Sequence, residues 1–157
     1  MTENKPISAV RSLQIVYAAL MAGIIMFAGV SIMLNLVNGP SLKDPSISKI
    51  LFIIALISLS AIPIGIALFN RKIEEVRSEK PEIKLSAFRE AMVTRAALME
   101  ASAFFSIVGF MLTGFIYFAL TLLIVLLVMA YFFPGIEKIA SVLEISTYQL
   151  ENPSQIL

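Results

Sequence analysis

Two long apolar runs constrain this chain more than any other feature. Leu13 to Val37 holds 25 residues without a charge, and Ala96 to Phe133 holds 38 residues with a single charge, Glu100. A helix on a soluble domain interrupts its apolar stripe with polar residues at almost every turn. A bilayer has room for unbroken runs, because its ~30 Å hydrocarbon core needs about 20 helical residues at ~1.5 Å each. Composition points the same way: 59% of residues are hydrophobic, against ~45–50% in soluble domains. The charged residues cluster between the runs.

The first span covers residues 13–37. Its length exceeds the ~7–15-residue apolar core of a secretory signal, so a retained helix is expected. Gly39-Pro40 and Asp44-Pro45 then break the chain, since proline lacks a donor and restricts its predecessor. The second span covers residues 47–69, with a kink expected at Pro63. Residues 70–89 read as a charged loop divided by Pro81. Before it Ile73 and Val76 sit at helical spacing, so that the second helix can project beyond the bilayer. After it Leu85, Phe88 and Met92 recur at i, i+3, i+7, with Ser86 as the N-cap of the next helix. One helix from Ala96 to Phe133 would be ~57 Å long. The run is therefore divided at Thr113-Gly114, giving spans at 90–112 and 115–133. Pro134-Gly135 stops the last one. In the tail, residues 136–157, Ile136, Ile139, Val142 and Leu143 could face a membrane surface; a short solvated or disordered end is the other reading.

The expected fold is all-α: one membrane domain of four transmembrane helices in two hairpins. Lys and Arg set its orientation. The N-terminal segment, the central charged segment and the tail share one side and hold ten of the twelve. The positive-inside rule makes that side cytoplasmic, so both ends face the cytoplasm of a cell membrane, with a bacterial inner membrane as the expected setting. Small residues mark helix contacts in lipid. They occur at Ala19/Gly23, Ala61/Gly65, Ala97/Ala101, Ser102/Ser106 and Gly109. Packing within the chain is the first explanation, and a homo-oligomer or larger membrane complex the second. The fourth span is bulky throughout and reads as peripheral, the third as central.

Glu100 carries the functional question. It lies twelve residues before Leu112, hence ~18 Å from that end of the span and near mid-depth. An ionised carboxylate there costs at least about 3 kcal/mol. A carboxyl alternating between neutral and charged states suits ion carriage. A neutral hydrogen-bonded contact and a contact with a partner subunit are the alternatives. Ser102, Ser106, Tyr117 and Thr121 are the candidate supporting polar groups. Arg95 is five residues earlier, ~140° around the helix, and is expected to extend to the headgroups.

The stretch Ile64 to Leu112 resembles the hairpin of the proteolipid c subunit of rotary ATP synthases. Arg77-Ser78-Glu79-Lys80-Pro81-Glu82 occupies the position of that family's polar loop. Ala96-Ala97-Leu98-Met99-Glu100-Ala101 resembles the segment around its ion-binding carboxylate. The resemblance implies that Glu100 carries a proton or sodium ion and that Arg77, Pro81 and Glu82 face a cytoplasmic partner. The chain keeps only Gly65 of the family's glycine-rich first helix, lengthens the loop by two residues and adds a helix on each side.

Other classes are disfavoured. With no Cys and no His, thiol, histidine and Cys/His metal chemistry have no residues to use. The seven glycines are scattered, so no phosphate loop forms. A net charge of +1 gives no footprint for nucleic acid. No enzyme, metal site or cofactor beyond H+ or Na+ is expected.

Overall fold

A computed structural model describes residues 6–42 and 44–144. Among these every regular element is a helix: α1 (Pro6–Asn38), α2 (Pro45–Ser58), α3 (Ala61–Glu75), α4 (Pro81–Thr113), α5 (Ile116–Tyr131) and α6 (Ile136–Leu143). Three segments are long and apolar enough to cross a membrane: Val10–Asn38, α2 with α3 as Pro45–Glu75, and α4. The pair α5 and α6, bent by 73° at its junction, makes a fourth if counted as one span. Large apolar side chains cover the outside, with Leu36 81% and Met26 72% exposed. Water solvates such a surface poorly and lipid solvates it well.

Helix α4 is the hub, packed against α1, α2, α3, α5 and α6. Its core-facing side includes Met92, Ala96, Met99, Ala103 and Ile107, all nearly sealed. Helices in lipid gain nothing from hiding apolar surface, so close packing and interhelical hydrogen bonds hold them together. Both are present. Ser31 Oγ of α1 donates to Ile107 O at 3.3 Å, and Tyr17 Oη donates to Met129 O at 3.0 Å. Gly109 leaves room for the Phe118 ring of α5, which a Cβ at Gly109 would meet at 2.2 Å. Although α5 reads as lipid-facing in sequence, Phe118, Thr121, Leu122, Val125 and Met129 bury one side of it.

The second apolar run is two helices. Their break at Leu59 and Ser60 lies one turn before Pro63, the residue that cannot donate into the ladder. Ile62 N–H turns to Leu59 O at 3.0 Å. That leaves Ser58 O to accept from Ser102 Oγ at 2.5 Å. A side chain of α4 thus satisfies a carbonyl that α3 abandons.

The charged segment is far more helical than a loop. α3 continues to Glu75, α4 begins at Pro81, and only residues 76–80 connect them. Proline suits the first helical position because its missing N–H has no partner there anyway. Ser86 is consequently not an N-cap: it lies inside α4, and its Oγ donates to Ile83 O at 2.9 Å. Pairs such as Arg71–Glu75 at 3.1 Å run along the exposed side.

At the other end α4 stops at Gly114, whose φ of 67° is left-handed. Asn35 of α1 covers that terminus, its Nδ2 donating to Phe110 O at 2.8 Å and Met111 O at 3.0 Å. Helix α6 folds back onto the bundle instead of lying on a surface. Ile139 and Leu143 are buried, while Ile136 and Val142 are exposed. The remainder of the tail, 145–157, lies outside the described residues.

Candidate functional site

Glu100 is half-buried, at the border between the packed and open sides of α4. At 3.6 residues per turn it shares its side with Val93, Ala97 and Phe104, all exposed. The Phe104 ring meets Phe27 of α1 at 5.5 Å, so α1 flanks this side. Among the described residues Glu100 makes no hydrogen bond and no ion pair; the ion pairs present all lie elsewhere.

The four polar residues expected around it divide. Ser102 lies ~200° around α4 from Glu100 and Ser106 ~240°, so both point away. Ser106 Oγ donates to Ser102 O at 3.1 Å, and Thr121 Oγ1 of α5 lies 2.9 Å from Ser106 Oγ. With the Ser102–Ser58 bond they form a buried hydroxyl series joining α2, α4 and α5. Tyr117 joins neither group: it is 58% exposed and its ring lies 5.6 Å from that of Phe52. Among the described residues Glu100 therefore has no cluster of hydroxyl ligands.

Arg95 overturns an expectation. It is 4% exposed and does not extend to solvent. The cause is α3. Gly65 lies against the Arg95 stem, and a Cβ there would be 3.3 Å from Arg95 Cγ. One turn later Phe69 places its ring centre 4.2 Å from the guanidinium carbon. Phe132, at the end of α5, places a second ring centre at 4.1 Å. Arg95 Nη2 reaches Met92 Sδ at 2.7 Å, and Nε, buried, has no hydrogen-bond partner among the described residues.

Magnitudes weigh against this arrangement as it stands. Two desolvated cation–π contacts contribute about 2 kcal/mol each. Burying an ion costs several kcal/mol, roughly cancelling them. The orphaned Nε–H adds about 1–3 kcal/mol of cost. No carboxylate pairs with Arg95 among the described residues.

The expected loop residues stand together at the α3–α4 junction. Pro81 is the first residue of α4 and Glu82 lies in its first turn. Arg77 bonds Glu144 at 2.7 Å and reaches Glu74 at 3.5 Å; these carboxylates, Glu144 foremost, hold its guanidinium above its ordinary range. Lys84 Nζ donates to Leu143 O at 3.3 Å. Together these contacts clip the end of α6 to the charged hairpin.

Sequence reasoning missed Arg95 and Asn35. For Arg95 a signal existed in Gly65 and Phe69, four residues apart on one side of α3. For Asn35 the signal was weaker: a lone amide near the end of an apolar run. The chain matches no protein-family model, no curated protein and no solved structure.

Proposed function

We propose that this chain is a four-span membrane protein with cytoplasmic ends, serving as a non-catalytic scaffold or accessory subunit. It meets its partner through the side of α4 that carries Glu100. One observation carries this reading: a half-buried carboxyl without a partner among the described residues, on a side of α4 that those residues leave open. Glu100 precedes Thr113 by thirteen residues, so it sits ~20 Å along the helix from that end. At such depth a carboxyl needs a donor or a proton. Ala97 and Ala101, exposed on neighbouring positions, let another helix approach closely. The fourth span covers residues 115–133, with α6 at its cytoplasmic end, and the charged α3–α4 junction supports the cytoplasmic orientation.

The test is assembly state in mild detergent. Glu100→Gln and Ala97→Phe are expected to shift the native-size species to monomer while helix content stays unchanged. Native-size assembly retained in both variants refutes the reading.

A second reading, c-subunit-like ion handling, is favoured by the same carboxyl's mid-depth position and partial exposure. Protons suit it better than sodium, because the hydroxyls of Ser102, Ser106 and Thr121 turn away from Glu100. Glu100→Gln separates the two readings: lost proton flux in liposomes with assembly intact supports ion handling. Carbodiimide labelling of Glu100 is expected under ion handling, and protection from it under stable partner contact.

A further inference from the structure

We infer that the chain binds an anionic phosphate group in the cavity where Arg95 and Lys138 converge. The cavity holds about 160 Å³, far more than the ~10–15 Å³ that one water needs. It lies among α3, α4, α5 and α6, and Phe69, Asn70, Met92, Arg95, Phe132 and Lys138 contribute to its wall. Among the described residues no carboxylate lines it. Arg95 is nine-tenths buried, and its Nε has no partner among the described residues. Lys138 Nζ donates to Tyr131 O, lies 4.6 Å from the Tyr131 ring centre and 5.7 Å from the Phe132 ring that Arg95 approaches at 4.1 Å. Two cations therefore approach one aromatic ring, and among the described residues neither has a carboxylate partner.

The chemistry selects the ligand class. A guanidinium offers fixed N–H donors suited to phosphate oxygens, and an ammonium adds a mobile point charge. Asn70 also contributes to the cavity wall. The surrounding rings exclude water and strengthen each charge contact. Placement narrows the sources and rests on the membrane arrangement proposed above. Arg95 precedes Thr113 by eighteen residues, or ~27 Å of helix, close to the ~30 Å hydrocarbon thickness. The cavity then lies at headgroup level on the cytoplasmic side. A lipid phosphodiester reaches it from the bilayer, and a free phosphate from the water.

The test is native mass spectrometry of the full chain in neutral detergent, titrated separately with phosphatidylglycerol, phosphatidylcholine and inorganic phosphate. The expected result is one phosphatidylglycerol per chain, held at least tenfold more tightly than phosphatidylcholine. Arg95→Gln and Lys138→Gln each weaken it tenfold or more. Lys138 is exposed, so its variant remains readable if Arg95→Gln fails to fold. An inorganic phosphate adduct with the same sensitivity assigns the anion to the soluble pool and also supports the site. Equal retention of both lipids without a phosphate adduct overturns it, as does anion binding that survives Lys138→Gln. Assembly is measured on the same samples, so intact assembly without anion binding overturns this site and leaves the Glu100 reading standing.

Discussion

Gly109→Ala offers a sharp test of how α4 and α5 pack, because one methyl group must displace a rigid ring. A Cβ at Gly109 would lie 2.2 Å from Phe118 Cε1, 2.4 Å from Cδ1 and 2.9 Å from Cζ. Ordinary carbon contacts are ~3.5–4.0 Å, so the ring has to retreat by more than an ångström. It has little freedom to do so: Phe118 is 1% exposed, and its far side meets Phe52 edge-on at 5.8 Å. Overpacking of this kind costs ~1–3 kcal/mol, and the rigidity of the ring argues for the upper end. Alanine returns up to about 1 kcal/mol through its better helix propensity. The net expectation is a destabilisation of about 2 kcal/mol.

The chain has no tryptophan, so circular dichroism at the helical band during titration with a denaturing detergent is the suitable assay. Phe118→Leu in the Gly109→Ala background removes the ring edge and should recover part of the loss. The recovered part is the coupling between the residues, at most the ~3 kcal/mol of overpacking, and a double-mutant cycle isolates it. A neutral or stabilising Gly109→Ala, or a double variant that behaves additively, refutes the packing argument.

Two further predictions concern hydrogen bonds between helices and use the same titration. Asn35→Ala removes both donations to the end of α4 and should cost about 1–3 kcal/mol, with Asn35→Asp no better, since a carboxylate cannot donate. Ser102→Ala strands Ser58 O at the α2–α3 break and should cost about 1 kcal/mol; Ser102→Thr keeps the hydroxyl and should recover most of it.

The apolar runs and the breakers were legible because each acts locally. Proline and glycine impose their backbone limits whatever surrounds them, so Pro63, Pro81 and Gly114 all mark real ends or breaks. The helical character of the charged segment was legible in the spacing of Ile73 and Val76 and of Leu85, Phe88 and Met92, whereas the start of α4 at Pro81, ahead of Ser86, was not. Charges at helical spacing support a helix, as Arg71 and Glu75 do. Helix α6 needed tertiary information: its amphipathic pattern fits a membrane surface or a bundle equally well, and its contacts with Lys84 of α4 and Arg77 of the α3–α4 connection tie it to the bundle. The polar residues near Glu100 were a different error. Their spacing already placed Ser102 and Ser106 on the far side of α4, and closeness in sequence was allowed to stand for closeness in space. Arg95 could not be placed from its own neighbourhood, since Gly65, Phe69 and Phe132 come from two other helices.

The spacing of Arg95 and Glu100 invites treating them as one site, and the geometry argues otherwise. Five residues separate them by ~7.5 Å along α4 and ~140° around it. Arg95 is enclosed by α3, α5 and α6, whereas Glu100 lies beside α1 at the open side. They share no hydrogen-bond partner, so neither charge satisfies the other. Well-separated changes add to within ~0.3–0.5 kcal/mol. Combining Arg95→Gln with Glu100→Gln should therefore give the sum of the single effects in the denaturation assay. Of these two changes, only Arg95→Gln should weaken phosphate binding and only Glu100→Gln should disturb assembly. A coupling larger than about 1 kcal/mol would mean that the two charges communicate through α4, and the two sites would have to be treated as one.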